Sequence, residues 1–327
     1  MADASERIAM LSLERRKLFE QLLEVRARDE PASQAPAEAE PVASQKSPCP
    51  IPAGALKLEF GTSSEEVKQN FRRFYNGVSK QLDSSPFGQF SYFLNYGYVP
   101  DGTREFSAVG LPEKYINKNS VKLVLEVIGD CDLKGRRILD VGCGRGGMIH
   151  TIMQFFQPAA VVGLDLSADA VHFCNRVHKY PEVSFREGDA ESLPFPDSSF
   201  DVVTNVESSH TYPNISSFFF ETGRVLAPGG FFLYADVMPH EKSNHSVDMV
   251  RQVGFTVERD RDITNNVVLS CDEIAPLRAQ VFHSGNDTGL VHNFLATPDS
   301  QVYQAMKNGA WVYRVCRFRR GSPGTSS

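Results

Sequence analysis

Long apolar runs, paired cysteines, a basic excess and internal repeats are all missing from this 327-residue chain, and each absence narrows what it can be. No apolar stretch reaches transmembrane length, and the first residues carry acids without a long apolar core, so neither a membrane span nor a secretion signal is expected. The six cysteines (Cys49, Cys131, Cys143, Cys174, Cys271 and Cys316) are scattered, with no Cys-x-x-Cys and no Cys/His run at zinc spacing. They read as reduced thiols of a cytoplasmic protein. A net charge of −6 argues against a broad face that grips a nucleic-acid backbone. Asp236, Glu241 and Asp248 are not spaced as metal ligands, and no metal is expected. The hydrophobic content is 41%, enough for a sizeable core.

Three segments differ in composition. In residues 9–28, Ser12 is a candidate N-cap, and Leu13, Leu18, Phe19, Leu22, Leu23 and Val25 alternate with Glu and Arg, which predicts an amphipathic helix. Its Leu-Ser-Leu-Glu-Arg-Arg-Lys-Leu-Phe string resembles segments that begin or join modules of polyketide and nonribosomal peptide synthases. It either docks on such a partner or is a frayed terminal helix. Residues 29–56 turn to Pro, Ala, Ser, Glu and Gln, with prolines at 31, 36, 41, 48, 50 and 52. That composition cannot build a core and reads as a linker. Residues 57–327 form the globular domain: 57–133 before the glycine loop region, 134–239 the alternating core, and 240–327 a substrate-side insertion with final strands.

Within 57–133, Ser63/Ser64 form a capping signal for a helix bearing Val67, Phe71, Phe74, Tyr75 and Val78. The aromatic stretch Phe87–Tyr98 is either core or a lid over a pocket. A further helix is expected over 112–129. The chain then alternates: strands at Ile138–Val141, Ala160–Asp165, Val183–Phe185, Asp201–Val206 and Phe231–Asp236, with helices near Met148, from Ser167 to Lys179, and from Ile215 to Leu226. Such βαβ alternation predicts an α/β fold, a mostly parallel sheet with helices on both faces. Phe255–Glu258 and Trp311–Phe318 add late strands, with a mostly helical insertion between them at 265–308.

In such sheets, ligands sit beyond the carboxyl ends of the strands. Ile138-Leu-Asp-Val-Gly-Cys-Gly-Arg-Gly-Gly147 follows this rule: a short strand, a turn with Gly142 and Gly144, then a helix N-terminus. The loop alone fits a nucleotide, a nucleoside or a plain turn. Asp165 closes the second strand, where an acid can accept both ribose hydroxyls. Asp189-Ala190 ends the third, where a carboxylate and an adjacent amide can bond an adenine edge.

Leu139-Asp-Val-Gly-Cys-Gly-Arg-Gly-Gly, Gly-Leu-Asp165, Gly-Asp189-Ala-Glu-Ser-Leu-Pro-Phe, Phe200-Asp-Val-Val and Arg224-Val-Leu-Ala-Pro-Gly-Gly-Phe, in this order, resemble a class I S-adenosylmethionine-dependent methyltransferase. The resemblance implies a Rossmann-like, seven-stranded sheet, an N-terminal helical lid, and S-adenosyl-L-methionine held by Asp140, Gly142, Gly144, Asp165, Leu166, Asp189, Ala190 and Asn205. Tyr98, with Tyr96, is expected to close over that cofactor. Asn205-Val-Glu-Ser-Ser-His-Thr-Tyr-Pro213, Tyr234-Ala-Asp236 and Asn95-Tyr-Gly-Tyr98 are similar to O-methyltransferases of polyketides of the phthiotriol/phenolphthiocerol dimycocerosate type.

An alcohol is a weak acid, so its methylation gains from a base. His210 is the candidate, with a pKa near working pH, and Asp236 the residue that can hold its other nitrogen. Alternatively His210 only packs on the substrate. Glu207 can orient His210 instead, or cap a backbone amide. The expected reaction is methylation of a hydroxyl on a polyketide or polyketide–peptide product, free or carrier-bound. Nitrogen, carbon or carboxylate methylation, or a chiefly docking role through residues 9–28, are the alternatives.

Overall fold

The computed structural model describes residues 63–84, 88, 91–100, 109–112, 115, 117–281 and 295–321. The expected helix at 9–28 and linker at 29–56 lie outside the described residues, as do residues 87, 89 and 90 of the aromatic stretch.

Seven strands form one sheet in the order β3-β2-β1-β4-β5-β7-β6. They are β1 (Arg137–Val141), β2 (Ala160–Asp165), β3 (Val183–Glu187), β4 (Phe200–Val206), β5 (Leu226–Pro239), β6 (Phe255–Asp262) and β7 (Trp311–Arg320). The pairs among β1 to β5 are parallel, while β7 runs antiparallel to both β5 and β6. This is the seven-stranded, mostly parallel arrangement of the class I methyltransferase fold that the sequence resemblance implies. Helices follow on both faces: α1 (Ser64–Ser84), α2 (Lys118–Ile128), α3 (Gly147–Phe155), α4 (Ala168–Val177), α5 (Ile215–Val225), α6 (His240–Gln252), α7 (Thr264–Val281) and α8 (Gln301–Lys307).

The strand sequences explain this packing. Ile138, Val161, Val202 and Leu233 fill one apolar cluster with Leu123 and Val124 of α2 and Ile149 and Ile152 of α3. Their neighbours Leu139, Val203 and Phe232 fill the other, with Phe218 and Phe219 of α5 and Val247 and Val250 of α6. Adjacent residues of a strand face opposite ways, so central parallel strands must be apolar on both sides. The outer strand β6 alternates half-buried and exposed positions after the buried Phe255, and its Glu258, Arg259, Asp260 and Arg261 charge the sheet edge against unwanted pairing.

Several boundaries differ from expectation. The helix expected from 112 begins at Lys118, because Asn117 precedes it in the left-handed region at φ 58°, which Asn tolerates. β5 is extended already from Leu226, so Ala-Pro-Gly-Gly230 is strand and not only the end of a helix. β6 runs on through Asp262: Glu126 of α2, fully buried, accepts from Arg259 and Arg261, and Arg314 of β7 pairs with Asp260 at 2.6 Å. Among the described residues, no helix is long and apolar enough to cross a membrane.

Candidate active site

The carboxyl ends of β1, β2, β4 and β5 open on a cavity of about 430 Å³, with α1 forming part of its wall. Asp140, Gly142, Gly144, Asp165, Leu166, Asp189, Ala190, Glu207 and His210 all line it.

The glycine loop is tied to β2. The amides of Gly142 and Cys143 donate to the Leu164 carbonyl at 2.8 and 3.0 Å, and Gly144 N–H donates to Asp165 Oδ2 at 2.7 Å. Asp165 Oδ1 accepts from Ser167 N–H, whose hydroxyl in turn caps α4 at Ala170. Gly142 and Gly144 have positive φ, 70° and 51°. A Cβ on Gly142 would collide with the Ser208 side chain and come within 2.9 Å of Tyr212 Oη. Cys143 is buried, and a contact with Cys174 together with burial pushes its thiol well above the ordinary range, which suits packing behind the turn.

Two buried acceptors bear on a cofactor. Asp140 accepts from Thr204 Oγ1 at 2.7 Å through Oδ1, while Oδ2 has no partner among the described residues. Burial pushes its pKa up to about 7. Asn205 donates to the Val141 carbonyl at 2.9 Å and to Ser208 Oγ at 2.7 Å, leaving Oδ1 without a partner. An orphaned carboxylate oxygen, two positive-φ glycines lining the cavity and an acid at the end of β2 fit the amino and ribose groups of S-adenosylmethionine.

Helix α1 closes one side. Val67, Phe71, Phe74 and Tyr75 line the cavity. Its polar side meets the rim: Lys68 Nζ lies 2.7 Å from Asp189 and 2.6 Å from Glu191, Asn76 accepts from Ser167 Oγ at 2.5 Å, and Lys80 pairs with Asp169 at 3.4 Å. Burial disfavours the Lys68 charge, yet the two carboxylates outweigh it and raise its pKa.

His210 sits in a short 3₁₀ turn, Ser209–Thr211, just beyond β4. Its Nδ1–H donates to Asp236 Oδ1 at 2.7 Å, which leaves Nε2 of the neutral ring as the acceptor. Asp236 is 1% exposed and also accepts from Ser209 Oγ at 2.6 Å, His210 N–H at 2.9 Å and Val237 N–H at 2.8 Å. Since the Ser209 hydroxyl donates to Asp236, Tyr234 Oη donates to Ser209, at 2.9 Å. Burial would raise the Asp236 pKa, but His210 and the donors around it hold it below the usual carboxylate value. Burial likewise lowers His210, and the Asp236 charge outweighs this, leaving its pKa raised.

The structure sorts the expected residues. Asp236 stands behind His210, not in the wall. Glu207 does not hold His210; it accepts from Tyr96 N–H at 2.9 Å and Tyr313 Oη at 2.7 Å, the amide-capping alternative. Asn205 and Tyr98 are not in the wall either: Asn205 is fully buried behind Ser208, and Tyr98 is 2% exposed within the core, its N–H bonded to Asn119 O. Tyr96 takes the wall position on that segment. Lys68, Tyr75, Arg145 and Trp311 were not foreseen; all four reach the cavity from positions that local pattern marks only as helix, loop or strand. Among the described residues, no three His, Cys, Asp or Glu side chains converge as a metal site.

Residues 139–234 match the family described as Methyltransferase domain. The chain is 45% identical over 245 residues to a fatty-acid O-methyltransferase of Mycolicibacterium smegmatis, covering 69% of this chain and 82% of that one. It is 31% identical over 267 residues to a phthiotriol/phenolphthiotriol dimycocerosates methyltransferase of Mycobacterium tuberculosis, covering 79% and 94%. Among solved structures, the cyclase SpnF superposes with a TM-score of 0.60 at 20% identity, over 78% of this chain and 96% of that one, a likeness of fold alone.

Proposed function

The chain belongs to the class I S-adenosylmethionine-dependent methyltransferases, and on that premise we propose that it methylates a hydroxyl of a lipid- or polyketide-type acceptor, with His210 as base. Bound S-adenosylmethionine supplies a methyl group already activated by its positive sulfur. The protein's task is to hold the acceptor oxygen and take its proton. Asp165, Leu166, Asp189 and Ala190 would hold the nucleoside, and Asp140, Gly142 and Gly144 the amino-acid end. Asn205 acts from behind, by fixing the β1 and β4 ends.

His210 Nε2 accepts the acceptor's proton, and the Asp236 charge stabilises the imidazolium that results. A placed base of this kind contributes about 10²–10⁴-fold. Phe71, Phe74 and Tyr75 of α1 keep water from the cavity. Val237, Met238, Pro239, Val302 and Trp311 give the far wall an apolar character suited to an alkyl chain. The observation that carries this reading is the His210–Asp236 pair at 2.7 Å, at the mouth of β4 and β5.

A second reading is methyl-ester formation on a fatty carboxylate. It is favoured by the 45% identical relative named for that class, and by Lys242 in the same wall. Assaying the purified chain with long-chain alcohols, hydroxylated polyketides and fatty acids separates the two. Turnover of an alcohol that collapses in His210→Ala supports the first. A fatty acid methylated equally well by that variant supports the second, because a carboxylate needs no base. Residues 9–28 are further proposed to dock the enzyme on a synthase that presents a carrier-bound acceptor. Deleting residues 1–56 should then spare free substrate and lose the carrier-bound one.

A further inference from the structure

Arg145, inside the glycine loop, has a fully buried side chain. A guanidinium carries five N–H groups, and a buried one is tolerated only when they are matched. Here every one has an acceptor. Nε donates to Ser91 O at 2.8 Å, Nη1 to Ser79 O and Oγ at 3.1 and 2.8 Å, and Nη2 to Asp83 Oδ1 and Gly88 O, both at 2.8 Å. The cation also lies 3.4 Å from the centre of the Phe173 ring of α4. At the other end of the residue, the Arg145 carbonyl accepts from His178 Nε2–H at 2.9 Å.

The partners are what give this meaning. Ser79 and Asp83 belong to the last turns of α1, the helix whose aromatic side chains wall the cavity. Arg145 itself follows Gly144, whose amide is fixed to Asp165. Other ties of α1 lead elsewhere: Lys68 to Asp189 and Arg72 to Glu187 at the β3 end, Asn76 to Ser167 beyond β2, and Lys80 and Asp83 to Asp169 and Arg176 of α4. Arg145 therefore joins loop and helix with a planar fork that neither an apolar side chain nor lysine reproduces.

We infer that Arg145 is a positioning residue that couples the cofactor loop to α1, so that donor binding at the loop and seating of α1 over the cavity reinforce each other. The inference rests on the reading that this cavity holds S-adenosylmethionine. Two sites joined this way affect one another reciprocally. Ligand in the loop must slow the opening of α1, and loosening α1 must weaken ligand binding.

The test is hydrogen exchange of residues 64–84 in the full chain, with and without S-adenosylhomocysteine, alongside calorimetric affinity for the same ligand. In the parent, the ligand should slow exchange of α1 by about tenfold or more, within the usual range of coupling between sites. Arg145→Lys should reduce that protection to less than about twofold, weaken the affinity by about tenfold, and raise KM for the donor with little change in kcat. Asp83→Ala cuts the same tie from a half-exposed position on α1 and should do likewise, which keeps the test open if the buried variant folds poorly. Arg176→Ala removes the other partner of Asp83, at 2.9 Å, and should leave affinity and protection unchanged. Equal ligand protection of α1 in the parent, Arg145→Lys and Asp83→Ala would overturn the coupling while leaving the cavity's ligand intact. A parent chain that binds no S-adenosylhomocysteine would overturn both.

Discussion

Asp236 accepts two hydrogen bonds from the one residue His210, from ring Nδ1–H at 2.7 Å and from the main-chain N–H at 2.9 Å. The first fixes the tautomer and the second fixes the turn that carries the ring. Ser209 Oγ and Val237 N–H fill the remaining acceptor sites of the carboxylate, so Asp236 is held charged in a place that otherwise disfavours charge. The two residues are 26 apart in sequence, and β4 and β5 pair side by side to bring them together.

The pH profile follows from this pair. A base must be neutral to accept a proton, and His210 has a pKa raised above 6.5. kcat/KM should therefore rise with pH through that raised pKa and level off above it. Asp236→Asn removes the charge that holds the pKa up, so the rising limb should move to lower pH while the plateau falls. His210→Ala should lower kcat by about 10²–10⁴-fold with little change in donor affinity. Stability runs the opposite way. A raised histidine pKa adds stability that is complete below the unfolded value and lost as pH climbs through the folded one. An unmoved limb in Asp236→Asn would refute the pairing's role.

Asp140 makes donor binding a proton-linked event. Its pKa stands at about 7 because burial penalises the carboxylate, and its Oδ2 has no partner among the described residues. An ammonium placed there favours the charged form and lowers the pKa. Near pH 6.5, binding of S-adenosylhomocysteine should release protons, and affinity should fall as pH drops below about 7. Calorimetry in buffers of different ionisation enthalpy measures the release. Asp140→Asn should bind more weakly and release none from this group.

Gly142 is the more sensitive of the two loop glycines. Both have positive φ, which costs a non-glycine residue roughly 1–2 kcal/mol. At Gly144 an added Cβ meets only Leu94, at 3.2 Å, a flexible side chain. At Gly142 it meets Ser208 and Tyr212, the two groups that share Asn205. Gly142→Ala should thus lose more affinity for S-adenosylhomocysteine than Gly144→Ala, and should lower Tm further. Equal losses would show that backbone strain alone governs the loop.

Much of this fold could be read from local pattern, and the exceptions have definite causes. β2 spans Ala160–Asp165 as expected, because an apolar run ending in an acid and followed by the Ser167 cap leaves one solution. The second half of β6, Arg259–Asp262, carries no apolar residue and becomes strand only through Glu126, Arg314 and the β7 ladder, contacts more than fifty residues away in sequence. The carboxylate and histidine of the site were legible through the family's motif order. Motif order favours Asp236 for the ring nitrogen of His210 but leaves Glu207 as an alternative, because only the pairing of β4 with β5 shows that Glu207 turns to Tyr96 and Tyr313. Nothing local marks Arg145 as buried; Ser79 and Asp83 of α1, the Gly88 and Ser91 carbonyls and the Phe173 ring enclose it from distant parts of the chain.

Trp311 is the sole tryptophan of the chain, and it lies in the cavity wall at the start of β7, near Val302 and Met238. Its emission therefore reports on this wall alone. The apolar tail of an acceptor seated there replaces water around the indole, so binding should shift the emission to the blue, whereas S-adenosylhomocysteine, held at the β1 and β2 ends, should move it little. Trp311→Ala removes one of the large apolar side chains of that wall. Losing most of the burial of an aromatic group costs on the order of 1.5–3 kcal/mol, or roughly ten- to a hundredfold in acceptor affinity. The expected result is a rise of that size in KM for a long-chain acceptor, with KM for the donor and the His210 pH limb unchanged. A short-chain acceptor, which does not extend to Trp311, should feel the substitution far less. If long and short acceptors lose equally, the chain does not lie along this wall, and the substrate end of the cavity must be sought on the α1 side, at Phe71 and Phe74.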